Sequence, residues 1–192
     1  MTLRILLIDE DVARAGLVRA GLEADGCVVI DVAPDATDLV RRVRAAAADV
    51  IVCDFDAASR DAIESMRALN RDEPRPVVMF VDRSDPDSIA AAMSAGVSAY
   101  VIEGLAVGRV KAVVDVAIAR FAAHQALKAE LREARSALSD RKLIERAKGL
   151  LMQSRRMSEE EAFRTLRNLA MSQGKRLTEI AESVITLAKM LK

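Results

Sequence analysis

The sequence predicts a parallel five-stranded α/β domain followed by an all-α region, and three observations carry that prediction. Short apolar runs alternate with amphipathic stretches five times in roughly the first hundred residues, which is the pattern of a parallel sheet with helices on both faces. From Leu105 onward proline is absent and apolar residues recur at helical spacing. The charge divides at the same place. Residues 1–104 hold 11 Arg, no Lys and 19 acids, a net −8, whereas residues 105–192 hold 18 basic and 10 acidic residues, a net +8. An acidic half joined to a basic half marks two domains and makes the basic half the candidate for a polyanionic partner.

Each element of the first half has its own signal. Arg4 to Ile8 reads as a buried strand that ends in acids, and Val12 to Ala24 as a helix stopped by Gly26. Cys27 to Ile30 is the second strand. Asp35 is the expected N-cap of a helix carrying Leu39, Val40 and Val43. Val50 to Cys53 is the third strand, ending at Asp54, and Ala62 to Leu69 is helical. Pro76 opens the strand Val77 to Phe80. Asp85-Pro86 sets a capping acid before a proline at the first helical position, and Gly96 ends that helix. Ala99 to Ile102 is the fifth strand.

Beyond Leu105, Val110, Val114, Ala117 and Phe121 are spaced 4, 3, 4, and so are Leu127, Leu131, Ala134 and Leu138. These are seam positions of a coiled coil. The two runs are out of register, which shifts the seam near His124. A homodimer held by Leu127, Leu131 and Leu138 is the expectation. Three further helical patterns follow: Leu143 to Leu151; a second opened by the capping box Ser158-Glu-Glu-Glu161, carrying Ala162, Phe163, Leu166 and Leu169 and ended by Gly174; and a third capped by Thr178. Ala147, Phe163, Leu166 and Ala181 are expected in the core of that bundle. The expected boundaries are 1–104 for the α/β domain, 105–139 for a coiled-coil linker and 140–192 for a three-helix bundle.

Composition excludes several functions. Aromatics are 3% and Trp is absent, so aromatic base-stacking sheets are hard to build. A single histidine, His124, rules against a Ser-His-Asp triad or a multi-His metal site. Cys27 and Cys53 lie in apolar runs and make no metal motif. No signal-peptide core or membrane span is visible, so a cytoplasmic protein is expected; a non-enzymatic one is expected as well.

In an open parallel sheet, function gathers at the carboxyl ends of the strands. Asp9 and Glu10 follow the first strand and Asp54 ends the third. Three converging carboxylates would hold a hard cation such as Mg²⁺ or accept a phosphoryl group. The run Leu3 to Asp11, the placement of Asp54, and the segments Arg75 to Phe80 and Gly96 to Tyr100 resemble a response-regulator receiver domain, of flavodoxin-like fold. The resemblance implies that Asp9 and Glu10 hold Mg²⁺ and that Asp54 is the phosphoacceptor position. Two family positions depart. The switch Thr/Ser falls on Val81, and the Lys followed by Pro falls on Glu103-Gly104. Val81 donates nothing and Glu103 would repel a phosphoryl group. Residues 1–110 contain no Lys to substitute. The expectation is a pseudo-receiver whose acidic pocket is Asp9, Glu10 and Glu103, and whose signal comes from a sensor protein.

Arg141 to Val184 resembles the ANTAR domain, the RNA-binding module of transcription antiterminators. The carrying residues are Ile144, Ala147-Lys148-Gly149, Leu151-Met152, the Ser158 to Phe163 segment, Leu166-Arg167, Arg176-Leu177 and Ile180-Ala181. Taken together, the chain is similar to the AmiR/NasT group, and Asp54 to Asp61 to the nitrate-assimilation regulators in it. The resemblance implies a dimer that binds paired hairpins in a leader RNA. Lys148, Arg167, Lys175 and Arg176 are the expected phosphate contacts, and Gly149 a point of close approach, by another helix or by RNA. The rivals are a phosphorylated regulator with a DNA-binding output, weakened by the apolar last helix, and an adaptor that binds only proteins.

Overall fold

Each of the five apolar runs forms a strand: β1 (Arg4–Asp9), β2 (Val28–Ala33), β3 (Val50–Phe55), β4 (Val77–Val81) and β5 (Ala99–Ile102). They were obtained from a computed structural model, which describes residues 2–55, 59–102 and 107–190. All pairings are parallel, in the order β2-β1-β3-β4-β5. β1, β3 and β4 are buried along nearly their whole length, because helices cover both faces of the sheet. Ile5, Leu7, Val50 and Val78 enter one core cluster, and Leu6, Ile8, Ile51 and Met79 the other. The chain divides into two units, residues 1–125 and 126–192.

In the first unit the helices are α1 (Val12–Ala24), α2 (Leu39–Ala46), α3 (Arg60–Asp72) and α4 (Pro86–Ser94). Asp11 caps α1 and Asp85 caps α4, each carboxylate accepting two backbone N–H groups. Asp35 does not cap α2. The residue before that helix is Asp38, in the left-handed region at φ 55° with no side-chain cap, and Asp35 instead accepts the Thr37 N–H in a turn. Gly96 takes φ +98°, and a Cβ there would collide with the Asn70 side chain. Cys27 and Cys53 are free and buried.

α5 runs unbroken from Val110 to Arg155. Its first turns correct the reading of Val110, Val114 and Ala117 as coiled-coil positions. All three are buried against Ile5, Val18 and Phe80 in the core of the first unit, so they complete the α/β layer. Phe121 and His124 line a small cavity with Asn70, Gly96 and Arg120. The register break near His124 is therefore the point where α5 stops serving the α/β core. From residue 129 to 142 the helix is exposed all round, and Leu127, Leu131 and Leu138 are exposed.

The second unit is built from the end of α5 together with α6 (Glu159–Gln173) and α7 (Leu177–Met190). Ala147, Leu166, Ala170, Ile180, Ala181 and Ile185 form its core. Ser158 and Glu161 make the expected capping box, and Gly174 ends α6 at φ 62°. Thr178 is not the cap of α7. That helix begins at Leu177, and Glu179 reaches back to accept the Arg176 N–H at 2.8 Å. Phe163 is not core either, being 42% exposed. Among the described residues, no helix is long and apolar enough to cross a membrane.

Candidate functional site

The first site follows from strand register. Asp9 at the end of β1 pairs with Asp54 on β3, so two carboxylates stand side by side at the carboxyl edge of the sheet, both buried. Like charges so placed repel and lose hydration. The structure answers with a residue that sequence reasoning did not name, Arg14. Its Nε lies 2.7 Å from Asp54 Oδ2, and its Nη2 donates to Asp9 Oδ1 at 2.9 Å. Nε also donates to Asp9 Oδ2 at 3.1 Å, and the Asp11 N–H supplies Asp9 Oδ1 at 2.8 Å. Asp9 is thus fully bonded. Among the described residues neither buried Asp54 oxygen finds a hydrogen-bond partner; the guanidinium faces Oδ2 by charge.

Arg14 is the third residue of α1. Side chains in a first turn lean toward the helix N-terminus, which here lies beside the ends of β1 and β3. A cation in a first turn works against the helix dipole. That misplacement, five residues after Asp9, was the sequence signal available for it.

Burial pushes the Asp54 carboxyl up to about 6; Arg14 pulls it down, while Asp9 and the exposed Asp82 add to the rise. The Arg14 guanidinium holds its proton more firmly than usual, chiefly through its hydrogen bonds to Asp9. Glu10 does not join the pair. It is exposed and lines a groove with Asp35, Ser59 and Asp61, so the three-carboxylate Mg²⁺ site of Asp9, Glu10 and Asp54 does not assemble. Among the described residues no group of three metal-ligating side chains converges, and Arg14 stands against both carboxylates where a divalent cation would bind. The residues present do not fit the metal. Glu103 lies outside the described residues.

Val81 ends β4, wholly buried and without a donor. The hydroxyl that the following loop carries, on Ser84, is paired with the Tyr100 hydroxyl at 2.7 Å.

The second site is on the helical unit, and the structure sorts its five predicted residues. Lys148 is withdrawn from solvent. Its side chain is 9% exposed, and Nζ donates to Glu145 at 2.8 Å and to Glu159 at 2.6 Å, tying α5 to the first residue of α6. Those two acids hold its pKa up, Glu145 first. Lys148 is a clasp between helices, which corrects its reading as a phosphate contact. Gly149 is exposed, and a Cβ on it would meet nothing within 4 Å, so packing within this chain does not require the glycine. Arg167 and Lys175 are exposed and line one notch with Phe163, Met171 and Gly174. Arg176 is exposed nearby, with Nη2 3.5 Å from Glu179. Phe163 was missed as a surface residue, although its spacing of four from Arg167 places the two on one helix face.

A parallel sheet closed by the start of α5, with an acid at the end of β3, matches the response regulator receiver domain over residues 5–115. The ANTAR domain matches over residues 132–185. The chain belongs to the response regulators with an ANTAR output domain. It is 28% identical over 183 residues to the transcriptional regulatory protein PdtaR of Mycobacterium tuberculosis, covering 95% of this chain and 89% of that one. It is 43% identical over 63 residues to the nitrate regulatory protein of Klebsiella oxytoca, 33% of this chain and 16% of that protein. Among solved structures, the signal receiver domain of a NarL response regulator from Mycobacterium tuberculosis superposes with a TM-score of 0.52 at 24% identity, covering 60% of this chain and 96% of that one; this likeness speaks to the fold.

The Asp54 environment sets a pH dependence. The native state keeps the Asp54 proton up to about pH 6, whereas an ordinary Asp releases it near 3.8. Between those values the folded chain binds more protons than the unfolded one, so this group's contribution to stability falls as pH rises through that window and levels above it. Asp54→Asn removes the charge and should melt above the wild type near neutral pH, by on the order of 1–3 kcal/mol. The gain should vanish below about pH 4. Paired thermal melts across the window check this; a variant less stable at neutral pH would show that attraction to Arg14 outweighs burial.

Proposed function

We propose that this response regulator is a cytoplasmic transcription antiterminator. Its ANTAR domain binds the paired hairpins of a structured leader RNA as a homodimer, and its receiver domain takes the control signal from a regulatory sensor protein. The observation that carries the reading is the notch on the ANTAR domain, where the exposed cations Arg167 and Lys175 flank the exposed Phe163 ring. Long cations bind phosphates and guanidinium planes stack on splayed bases, and an exposed ring offers one such base a face. The net +8 of residues 105–192 adds long-range attraction. The likeness to the nitrate regulatory protein makes a nitrate- or nitrite-assimilation operon the first target to test.

The exposed Leu127, Leu131 and Leu138 support a dimer seam, because a helix exposed all round needs a partner to hold it. Asp54 is not the switch in this reading. Arg14 occupies its face, Val81 offers no hydroxyl, and a phosphoryl group there would lack donors.

Three outcomes are expected. In gel shifts with hairpin RNA, Arg167→Ala and Lys175→Ala each weaken binding and flatten the log–log salt slope by roughly 0.7–0.9, one phosphate contact's share. Lys148→Ala lowers the melting temperature and leaves the slope unchanged. Gly149→Ala stabilises the helix by up to about 1 kcal/mol while weakening RNA binding, since among the described residues nothing packs against the bare backbone. Wild-type preference for duplex DNA would instead favour a DNA-binding output, and binding of neither a protein adaptor.

Leu131→Glu should shift the sedimenting mass from dimer to monomer at micromolar concentration. An unchanged mass removes the seam from the account.

Incubation with a small phosphodonor and Mg²⁺ should leave the intact mass unaltered. A stoichiometric adduct on Asp54 that also changes RNA affinity would restore phosphoryl control.

A further inference from the structure

The cavity where α5 leaves the α/β core is lined by His124, the one histidine of the chain. It lies at the amino edge of the sheet, beside the turn that leads into β5, and so at the end opposite the Asp9–Asp54 pair. Its volume is about 180 Å³. Val97 and Ser98 are buried in its wall, Phe121 is half-buried, and Arg120 and His124 are exposed. The last two stand four apart on α5 and share one helix face. Each polar side chain lining the cavity can donate a hydrogen bond. Ser98 Oγ already accepts the Val77 N–H at 3.3 Å, which leaves its hydroxyl proton to give. Asn70 lies across Gly96, whose φ of +98° and missing Cβ give that amide its room. No acid lines the cavity among the described residues. Among those residues the ion pairs along α5 are Lys111 with Asp115, and Lys148 with Glu145 and Glu159, so Arg120 is in none of them. The acids that follow Asn70 are held elsewhere, Asp72 by Arg71 and Glu73 by Arg44 and Arg75. We infer that this cavity binds a small monocarboxylate with a compact apolar body, its carboxylate on Arg120 and its body against Phe121 and Met93.

A guanidinium fork meets a planar carboxylate with two parallel N–H···O bonds. The Asn70 amide, the Ser98 hydroxyl and the His124 ring add donors, and a set of donors around one cation selects an anion. The remaining walls are apolar, Met93, Val97 and Phe121. An inorganic oxyanion would serve the donors and leave those walls wet, whereas a hydrocarbon would fill the walls and leave the donors without acceptors. A ligand with one charged end and one apolar end serves both. An apolar cavity of about 150 Å³ holds a benzene ring, so this one admits roughly six to eight non-hydrogen atoms. Such a ligand would join the end of α3, the turn before β5 and the last turn that α5 gives to the α/β core, and would stabilise the folded chain. The inference depends neither on RNA recognition nor on the Asp54 pocket.

The test uses the untagged full chain at fixed pH, with three probes: isovalerate, its neutral isostere isovaleramide, and inorganic phosphate. Because His124 is the only histidine, its ring protons give the only imidazole signals in proton NMR, and they report on the cavity. Isovalerate should move those signals saturably, with half the effect at about millimolar concentration or below, and should raise the melting temperature. Isovaleramide and phosphate should each need at least about tenfold more. Arg120→Gln should weaken isovalerate at least about tenfold. Asn70→Asp, which keeps the side-chain shape and adds a carboxylate to the same cavity, should weaken it as much. The absence of a saturable shift with isovalerate overturns the inference. So does isovaleramide or phosphate binding as tightly as isovalerate, and so does an Arg120→Gln or Asn70→Asp chain that binds isovalerate like wild type.

Discussion

The placement of Asp9 beside Asp54 is the constraint on which the rest of the α/β domain turns. β1 and β3 are neighbours at the centre of a sheet covered on both faces, and their register sets two acids side by side where water does not reach. Such a pair needs a positive charge. Supplying it from α1 fixes where that helix starts and which residue stands at its third position. The local cost is that a cation in a first turn opposes the helix dipole by about 0.3–1 kcal/mol. Losing a buried charge partner costs about 3–5 kcal/mol, so the arrangement is decided by the acids and not by the helix.

The same pocket explains why the departures from the receiver pattern belong together. Val81 is buried without a donor, and the hydroxyl on Ser84 is turned to Tyr100. Arg14 faces the acid that a phosphoryl group would use. Arg14 already sets one positive charge against the two carboxylates of that pocket. The receiver fold is kept, with an ion pair at its carboxyl edge.

α5 joins two tasks in one helix. Its first turns bury Val110, Val114 and Ala117 in the receiver core, and its last turns bury Ala147 in the ANTAR core. Between them the exposed leucines follow a coiled-coil spacing. In the ANTAR domain the cations divide in a similar way. Lys148 is spent within the chain, between Glu145 and Glu159, whereas Arg167 and Lys175 stand exposed at the edge of a notch.

The sequence by itself determined the five strands, the caps at Asp85 and Ser158, the stops at Gly96 and Gly174, and the two domain families, because these depend on periodicity and on chemistry within a few residues. The acids Asp9 and Asp54 were legible too, as residues at strand ends. Only the tertiary structure decided the rest. Spacing of 4, 3, 4 looks the same on a coiled-coil seam and on a helix packed against a sheet, so Val110, Val114 and Ala117 were assigned by the surface they meet. Phe163 fits an apolar stripe in the sequence, but its ring lines a notch while Ala162 and Leu166 of the same stripe are buried. Lys148 carries the same charge whether it is free or clasped, and burial between two glutamates is what removed it from the surface. Arg14 became a counter-ion only when strand register brought two carboxylates within reach of one guanidinium, a distance that no pattern along the chain encodes.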